Sequence, residues 1–359
     1  MGKKNTIFVG AFNTKHYSNV IGGQLFACNS LIDSGLKDKI AFTLIDTTQK
    51  SIPPPNIFTR SISAFLRISW LLYYLCTRKF DSCLIFCADG LSFIEKGIMI
   101  VLSKKFSIKT VLYPRSGFSV NDVKSPFFKK FYKIVLNHTD CLLVQGQTWK
   151  EFYKEINPYV NIKVQHNWID DSKYKKIEFK NDNKLQILFL GWVTKQKGIF
   201  DLIDVYEKLV KVSKFDLKLI IAGEGDSSDE VRRLLIAKDL THSVKMCGWI
   251  SGGEKIKLLC ESDIYVHPSY YEGYPNALIE AMCTGLCAVT STAGSIPDVI
   301  KNNINGLLFN AGDTKHFYEC LSRVIQDNDL RQRLSEQGYL TSKENNSLNS
   351  AIKKIGDIL

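Results

Sequence analysis

Glu272 and Glu280, with seven residues between them, bracket the stretch Gly273-Tyr274-Pro275-Asn276-Ala277. Pro275 and Asn276 suit the first turn and the cap of a helix, so the sequence predicts a helix over Asn276–Cys283. Glu272 then falls in the loop ahead of the helix, and Glu280 faces inward about one turn inside it. Backbone N–H groups left over at a helix start form a ready anion site. Carboxylates on either side can accept hydrogen bonds from sugar or ribose hydroxyls while the amides hold phosphate. On spacing alone, a capped helix with an incidental pair of acids reads the same way.

A second group of residues is Leu190-Gly191-Trp192-Val193-Thr194-Lys195-Gln196-Lys197-Gly198. A lysine in a loop between a strand and a helix supplies a mobile positive charge for a diphosphate. A solvated surface lysine has the same sequence appearance.

These residues need elements to position them. Short apolar runs alternate with longer helical patterns. In the first half the runs are 6–11, 40–45, 82–87, 110–113, 141–144 and 162–164; in the second they are 185–190, 217–222, 244–246, 264–266, 287–290 and 306–309. Helical stretches such as Phe200–Val212 and Asp229–Lys238 lie between them. Such alternation predicts an α/β chain with parallel sheets covered on both faces. The polar segment Asp170–Lys184 has no apolar run and reads as a linker. Two doubly wound domains follow, with ligands expected at the carboxyl ends of the strands, in a central cleft.

Taken together, the motifs resemble glycosyltransferase family 4, which has the two-domain GT-B fold. The family's acid pattern is matched by Glu272-Gly273-Tyr274-Pro275 through Glu280-Ala281 and Gly285. The match continues through Ala288-Val289-Thr290-Ser291, Gly294-Ser295, Asp298-Val299-Ile300, Asn305-Gly306-Leu307-Leu308 and Asp313. Upstream, Leu190-Gly191 to Lys197-Gly198 fits the family's Gly-Arg to Lys-Gly segment in length. Ala222-Gly223-Glu224-Gly225 fits its glycine turn, and Cys247-Gly248-Trp249-Ile250 the loop bordering the base. The resemblance covers nearly all of residues 185–315.

The resemblance implies two Rossmann-like domains facing a central cleft: 1–170 for the acceptor and 185–340 for the nucleotide sugar. A linker spans 171–184, and 341–359 form a C-terminal helix able to pack back on the first domain. Glu280 is expected on the donor ribose and Glu272 on the transferred sugar. Lys197 and the amides of residues 274–277 are expected on the diphosphate, with Gly223 and Ile250 also at the donor. A lysine and a helix start neutralise the leaving diphosphate where its charge develops, so no metal or other cofactor is expected. Transfer with retention of anomeric configuration is implied.

The chain departs from the family in two places. Trp192 stands where the family has Arg, leaving Lys195 or Arg115 to replace a diphosphate contact, and Asp298 stands for Glu. In the first half, Gly22-Gly23 occupies the place of the family's glycine pair, which puts Gly23 among the expected donor contacts. Arg115, near the place of a family His, is a candidate for an acceptor or phosphate contact. It cannot serve as a general base at neutral pH. His16, His138 and His166 receive no catalytic role.

Charge separates the two halves of the 359 residues. The first 174 carry 23 Lys and Arg against 12 Asp and Glu, whereas the remainder carries 24 of each. The basic half suits an anionic membrane surface, a phosphorylated acceptor or nucleic acid. Aromatic and basic residues interleave over 65–74 and 125–136, as at a headgroup boundary, or as helices with a core face and a basic solvent face. The ten cysteines form no metal-binding spacing and read as buried free thiols. No signal-peptide pattern and no stretch of about 20 apolar residues is present.

The function expected is sugar transfer from a nucleotide-diphosphate donor to a lipid-linked or cell-surface glycan, in bacterial polysaccharide, capsule or lipopolysaccharide synthesis. The enzyme is expected in the cytoplasm, peripheral on the inner face of the plasma membrane. A sugar-nucleotide epimerase of the same fold is the alternative. A nucleic-acid-binding protein is disfavoured because its recognition motifs are absent.

Overall fold

A computed structural model describes residues 2–12, 23–48, 55–115, 122–178 and 183–359. The chain divides into two compact units, Met1–Asn167 with Leu348–Leu359, and Trp168–Ser347.

The first unit is built on β1 (Lys4–Gly10), β2 (Ile40–Asp46), β3 (Ser82–Cys87), β4 (Lys109–Pro114), β5 (Cys141–Val144) and β6 (Ile162–Val164). They form one parallel sheet in the order β2-β1-β3-β4-β5-β6. Helices α1 (Gly23–Ile32), α2 (Ile57–Thr77), α3 (Leu91–Lys105), α4 (Pro126–Asn137) and α5 (Gln147–Ile156) connect the strands. All six residues of β3 are buried, including its two cysteines. A strand inside a parallel sheet is covered on both faces, so it reads as an apolar run rather than an alternation.

The second unit contains β7 (Lys184–Leu190), β8 (Asp216–Ala222), β9 (Val244–Gly248), β10 (Ile264–His267), β11 (Cys287–Ser291) and β12 (Leu307–Phe309). Its sheet is also parallel, in the order β12-β11-β10-β7-β8-β9. The intervening helices are α6 (Ile199–Val212), α7 (Ser228–Ala237), α8 (Gly252–Glu261), α9 (Asn276–Thr284), α10 (Ile296–Val299), α11 (Thr314–Gln326) and α12 (Asn328–Asn345). Helix α6 shows why these segments are helical. Ile199, Leu202, Ile203, Val205, Tyr206 and Leu209 recur every three or four residues and are buried against the sheet, as an amphipathic helix requires. The last helix, α13 (Leu348–Ile358), belongs to the first unit and buries Ala351, Ile355 and Ile358.

The topology of the second sheet fixes where a ligand can sit. From β7 the chain winds outward through β8 and β9, then returns to place β10 on the other side of β7. The loops after β7 and β10 therefore leave adjacent strand ends in opposite directions and open a crevice at that switch point. The expected lysine loop is the first of these and the expected acidic loop is the second. Segment 171–178, read as linker, belongs to the second unit, where Tyr174 and Ile177 pack against its core. Two apolar side chains among many charges are too few to register as a periodic pattern.

Candidate functional site

The loop after β7 ends in a 3-10 turn, Lys195–Lys197, followed by Gly198 in the left-handed region at φ 69°. A Cβ on Gly198 would lie 2.1 Å from the carbonyl oxygen of Pro268. Only a glycine allows the lysine loop to approach the acidic loop this closely. The Tyr270 N–H donates to the Gln196 carbonyl at 2.8 Å and ties the two loops together. Gly294 acts similarly from the far side. It has φ 54°, and a Cβ there would lie 1.8 Å from the Glu272 carbonyl oxygen.

Held in this way, the Lys197 ammonium donates to Oε1 of Glu272 in a close ion pair. His267, the last residue of β10, is 3% exposed and brings Nε2 within 2.6 Å of the same oxygen. Its Nδ1 lies 3.0 Å from the Tyr265 hydroxyl. An ionised carboxylate can only accept, so Nε2 carries a proton. Burial pushes the Glu272 carboxyl up, but His267 and then Lys197 outweigh it and hold the group down at about 2. Burial, followed by the nearby Glu272 and Glu280 charges, raises the Tyr265 phenol well above its usual range. Glu272 is thus a fixed anion at neutral pH, available to sugar hydroxyls.

Behind this loop, α9 begins at Asn276 with Pro275 at the cap position and no side-chain cap. The amides of its first turn are therefore not occupied by a capping side chain. Gly285 at φ 86° closes the helix at its other end. One face of α9 enters the core through Leu278, Ile279, Ala281 and Met282, and another presents Glu280. The Glu280 Oε1 accepts from Lys255 of α8 at 2.7 Å. The Tyr174 hydroxyl is also hydrogen-bonded to Glu280, and its pKa is raised by burial and then by that carboxylate.

The other expected residues are placed as follows. Gly273 links Glu272 to Tyr274, whose buried hydroxyl accepts from the Asn346 side chain at 3.0 Å. Ala277 and Ile250 are partly buried against the α9 side of the core. A Cβ on Gly223 would meet the Gly191 carbonyl oxygen at 1.8 Å, and its N–H donates to the Gly248 carbonyl, so the ends of β7, β8 and β9 converge there. Lys195 sits 5.8 Å over the Phe200 ring. Trp192 pairs with Trp249, ring centroids 5.3 Å apart, and both are about half exposed.

Gly23 and Arg115 lie in the first unit. Gly23 opens α1; its neighbour Gly22, like His16, lies outside the described residues. Arg115 follows β4, with its guanidinium 5.0 Å from the Tyr113 ring centroid and 5.4 Å from that of Phe86.

Four residues at the site were missed by the sequence reading: Tyr265, His267, Lys255 and Tyr174. The first two were legible in principle. They are two apart on a strand, which puts them on one face, and that face ends next to the Glu272 loop. Lys255 and Tyr174 carry no local signal, because they reach Glu280 from elements distant in sequence.

The switch point of this parallel sheet thus brings together a lysine, two acids and a helix start. Residues 170–341 match the family described as glycosyl transferases group 1. An uncharacterized glycosyltransferase of Methanocaldococcus jannaschii is 26% identical over 324 residues, covering 84% of this chain and 79% of its own. Another from that organism is 30% identical over 183 residues, 51% of this chain, and the match spans only 46% of that relative. A lipopolysaccharide core biosynthesis glycosyltransferase of Rhizobium meliloti is 23% identical over 208 residues, 57% of this chain and 59% of its own. The fold matches sucrose-phosphate synthase of Thermosynechococcus elongatus at a TM-score of 0.80, with 13% identity over 99% of this chain and 98% of the other. The Anabaena protein HepE in complex with UDP-glucose matches at 0.71, with 14% identity and 98% of each chain covered. The architecture is GT-B, with two six-stranded parallel sheets.

Proposed function

We propose that the protein transfers a hexosyl or N-acetylhexosaminyl group from a nucleoside-diphosphate sugar to a lipid-linked or cell-surface glycan, with retention, in bacterial polysaccharide or lipopolysaccharide synthesis. One observation carries the reading: Lys197 is paired with Glu272 beside the start of α9, at the switch point of the second sheet. The family of residues 170–341 and the lipopolysaccharide relative support the reaction class. The UDP-glucose bound by the HepE neighbour supports the donor class.

On donor binding, Lys197 exchanges the Glu272 carboxylate for the diphosphate and joins the first-turn amides of α9 there. Glu272 stays ionised through His267 and accepts from hydroxyls of the sugar. Glu280 accepts from the ribose. As the bond from the anomeric carbon to the phosphate oxygen breaks, negative charge grows where the lysine and the helix start already stand. The acceptor oxygen forms the new bond, and its proton leaves on the departing diphosphate. No metal is assigned a role.

Calorimetry with nucleoside diphosphates and a transfer assay test the reading. Lys197→Ala and Glu280→Gln should each weaken diphosphate binding by about tenfold or more, the worth of one charge-assisted contact. Glu272→Gln should chiefly lower turnover. If all three variants transfer sugar at the parent rate, the site is misplaced. Conversion of donor to its epimer without acceptor would move the protein to the epimerase reading.

A further inference from the structure

Helix α2 has a face that its own unit does not cover. Of its 21 residues only Leu71 and Leu75 are buried. Phe58, Ile62, Phe65, Leu66, Trp70 and Tyr73 are 47–72% exposed. Their spacing of three and four places them along one stripe. With aromatic side chains of roughly 150–250 Å² each, several hundred Å² of apolar surface face outward, at or above the largest patch of an ordinary monomer.

The stripe is held outward. Arg67, on the opposite side of α2, grips Glu95 of α3 with two hydrogen bonds, at 2.6 and 3.0 Å. Helix α4 packs on the same α3 through Phe131 against Phe93, and through Tyr132 stacked on Phe93. It adds exposed Phe127 and Ile134 with exposed Lys129, Lys130 and Lys133. Neither α2 nor α4 contains an acidic residue, and Arg60, Arg78 and Lys79 are exposed along or just after α2. Among the described residues, no helix is long and apolar enough to cross a membrane.

We propose that the α2 stripe, flanked by the cations of α2 and α4, inserts into the headgroup boundary of an anionic lipid bilayer. Charge decides between occupants. A second copy would bring like cations against one another, whereas anionic headgroups neutralise them. An amphipathic helix of this kind lies in the interface plane with its apolar face sunk roughly 5–10 Å, and Trp70 and Tyr73 suit that depth. The proposal does not depend on the reaction catalysed, because its readout is binding.

Flotation of the full chain with phosphatidylcholine vesicles, and with phosphatidylcholine–phosphatidylglycerol vesicles, at low and high salt provides the test. The chain should float only with the anionic vesicles and be released by salt. Replacing Lys129, Lys130 and Lys133 together by Gln should weaken binding roughly a hundredfold, at about fivefold per charge. Phe65→Ser with Trp70→Ser should weaken it at least about tenfold with the melting temperature unchanged. Brominated acyl chains should quench emission from the parent but not from Trp70→Phe. Failure to float with anionic vesicles at low salt overturns the proposal, as does parent-like binding by the Phe65/Trp70 double variant. Self-association abolished by the same substitutions would overturn it too, by assigning the stripe to a second copy. If the double variant melts early, the lysine variants decide the matter by themselves.

Discussion

His267 is the place to perturb the site without touching a residue assigned to donor. Glu272 is held at about 2 against an ordinary 4.5, which at about 1.4 kcal/mol per pKa unit is about 3 kcal/mol of preference for the charged form. His267 is the leading source of that preference and Lys197 the next. His267→Leu keeps the volume but removes the proton donor, so a loss on the order of 1–2 kcal/mol is expected, as for one hydrogen bond to a charged group. For a unit of this size the melting temperature should fall by about 4–8 °C. The sign of the pH effect follows from the depressed carboxyl. Its contribution is fully present above the unfolded value near 4.5 and is lost as pH falls through the folded value near 2. The gap between parent and variant should therefore be widest near pH 5 and narrow towards pH 3. Scanning calorimetry across that window is the assay, with His267→Gln as a control that keeps a neutral donor. A variant as stable as the parent at pH 5, or a gap that widens on acidification, refutes this account of Glu272.

Three further outcomes are expected. Gly198→Ala, with its Cβ 2.1 Å from the Pro268 carbonyl at a positive φ, should cost at least about 2 kcal/mol and most of the transfer activity. Gly191→Ala, with nothing within 4 Å, should be tolerated, and denaturant melts of the pair compare them directly. Lys255→Met should leave Glu280 without its ammonium partner and raise the donor dissociation constant about three- to tenfold with little change in kcat, read by titration and steady-state kinetics. Transfer should survive exhaustive chelation, since the charge on the departing diphosphate is assigned to Lys197 and the start of α9; loss of activity restored by a divalent cation would contradict that assignment.

Much of the fold was legible because parallel strands are buried on both faces. Runs 82–87 and 141–144 coincide with β3 and β5, which are buried throughout, whereas 162–164 coincides with the edge strand β6, whose Lys163 is exposed. The start of α9 was legible because Pro275 and Asn276 are local signals. The length of α2 was not: the aromatic stretch 65–74 is only part of a helix starting at Ile57, whose outward face breaks the rule that apolar residues mark the core. At the site, Glu272, Lys197 and Glu280 stood out because their segments match the family's motifs, not through spacing alone. Their partners did not, because pairing of Glu280 with the Lys255 ammonium and the Tyr174 hydroxyl is a property of the folded unit.

The return of the chain to the first unit through α13 has a consequence for how the protein can be made. Gly356 of that helix packs beside Leu36, so the first unit contains a piece that is made only after the second unit. Ala351, Ile355 and Ile358, buried in the folded unit, are supplied only after residues 168–347 have been made, so the surface they cover stays exposed meanwhile. A gene cut after residue 167 would yield the first unit without α13. Joining residues 348–359 to that fragment by a short tether restores the missing piece.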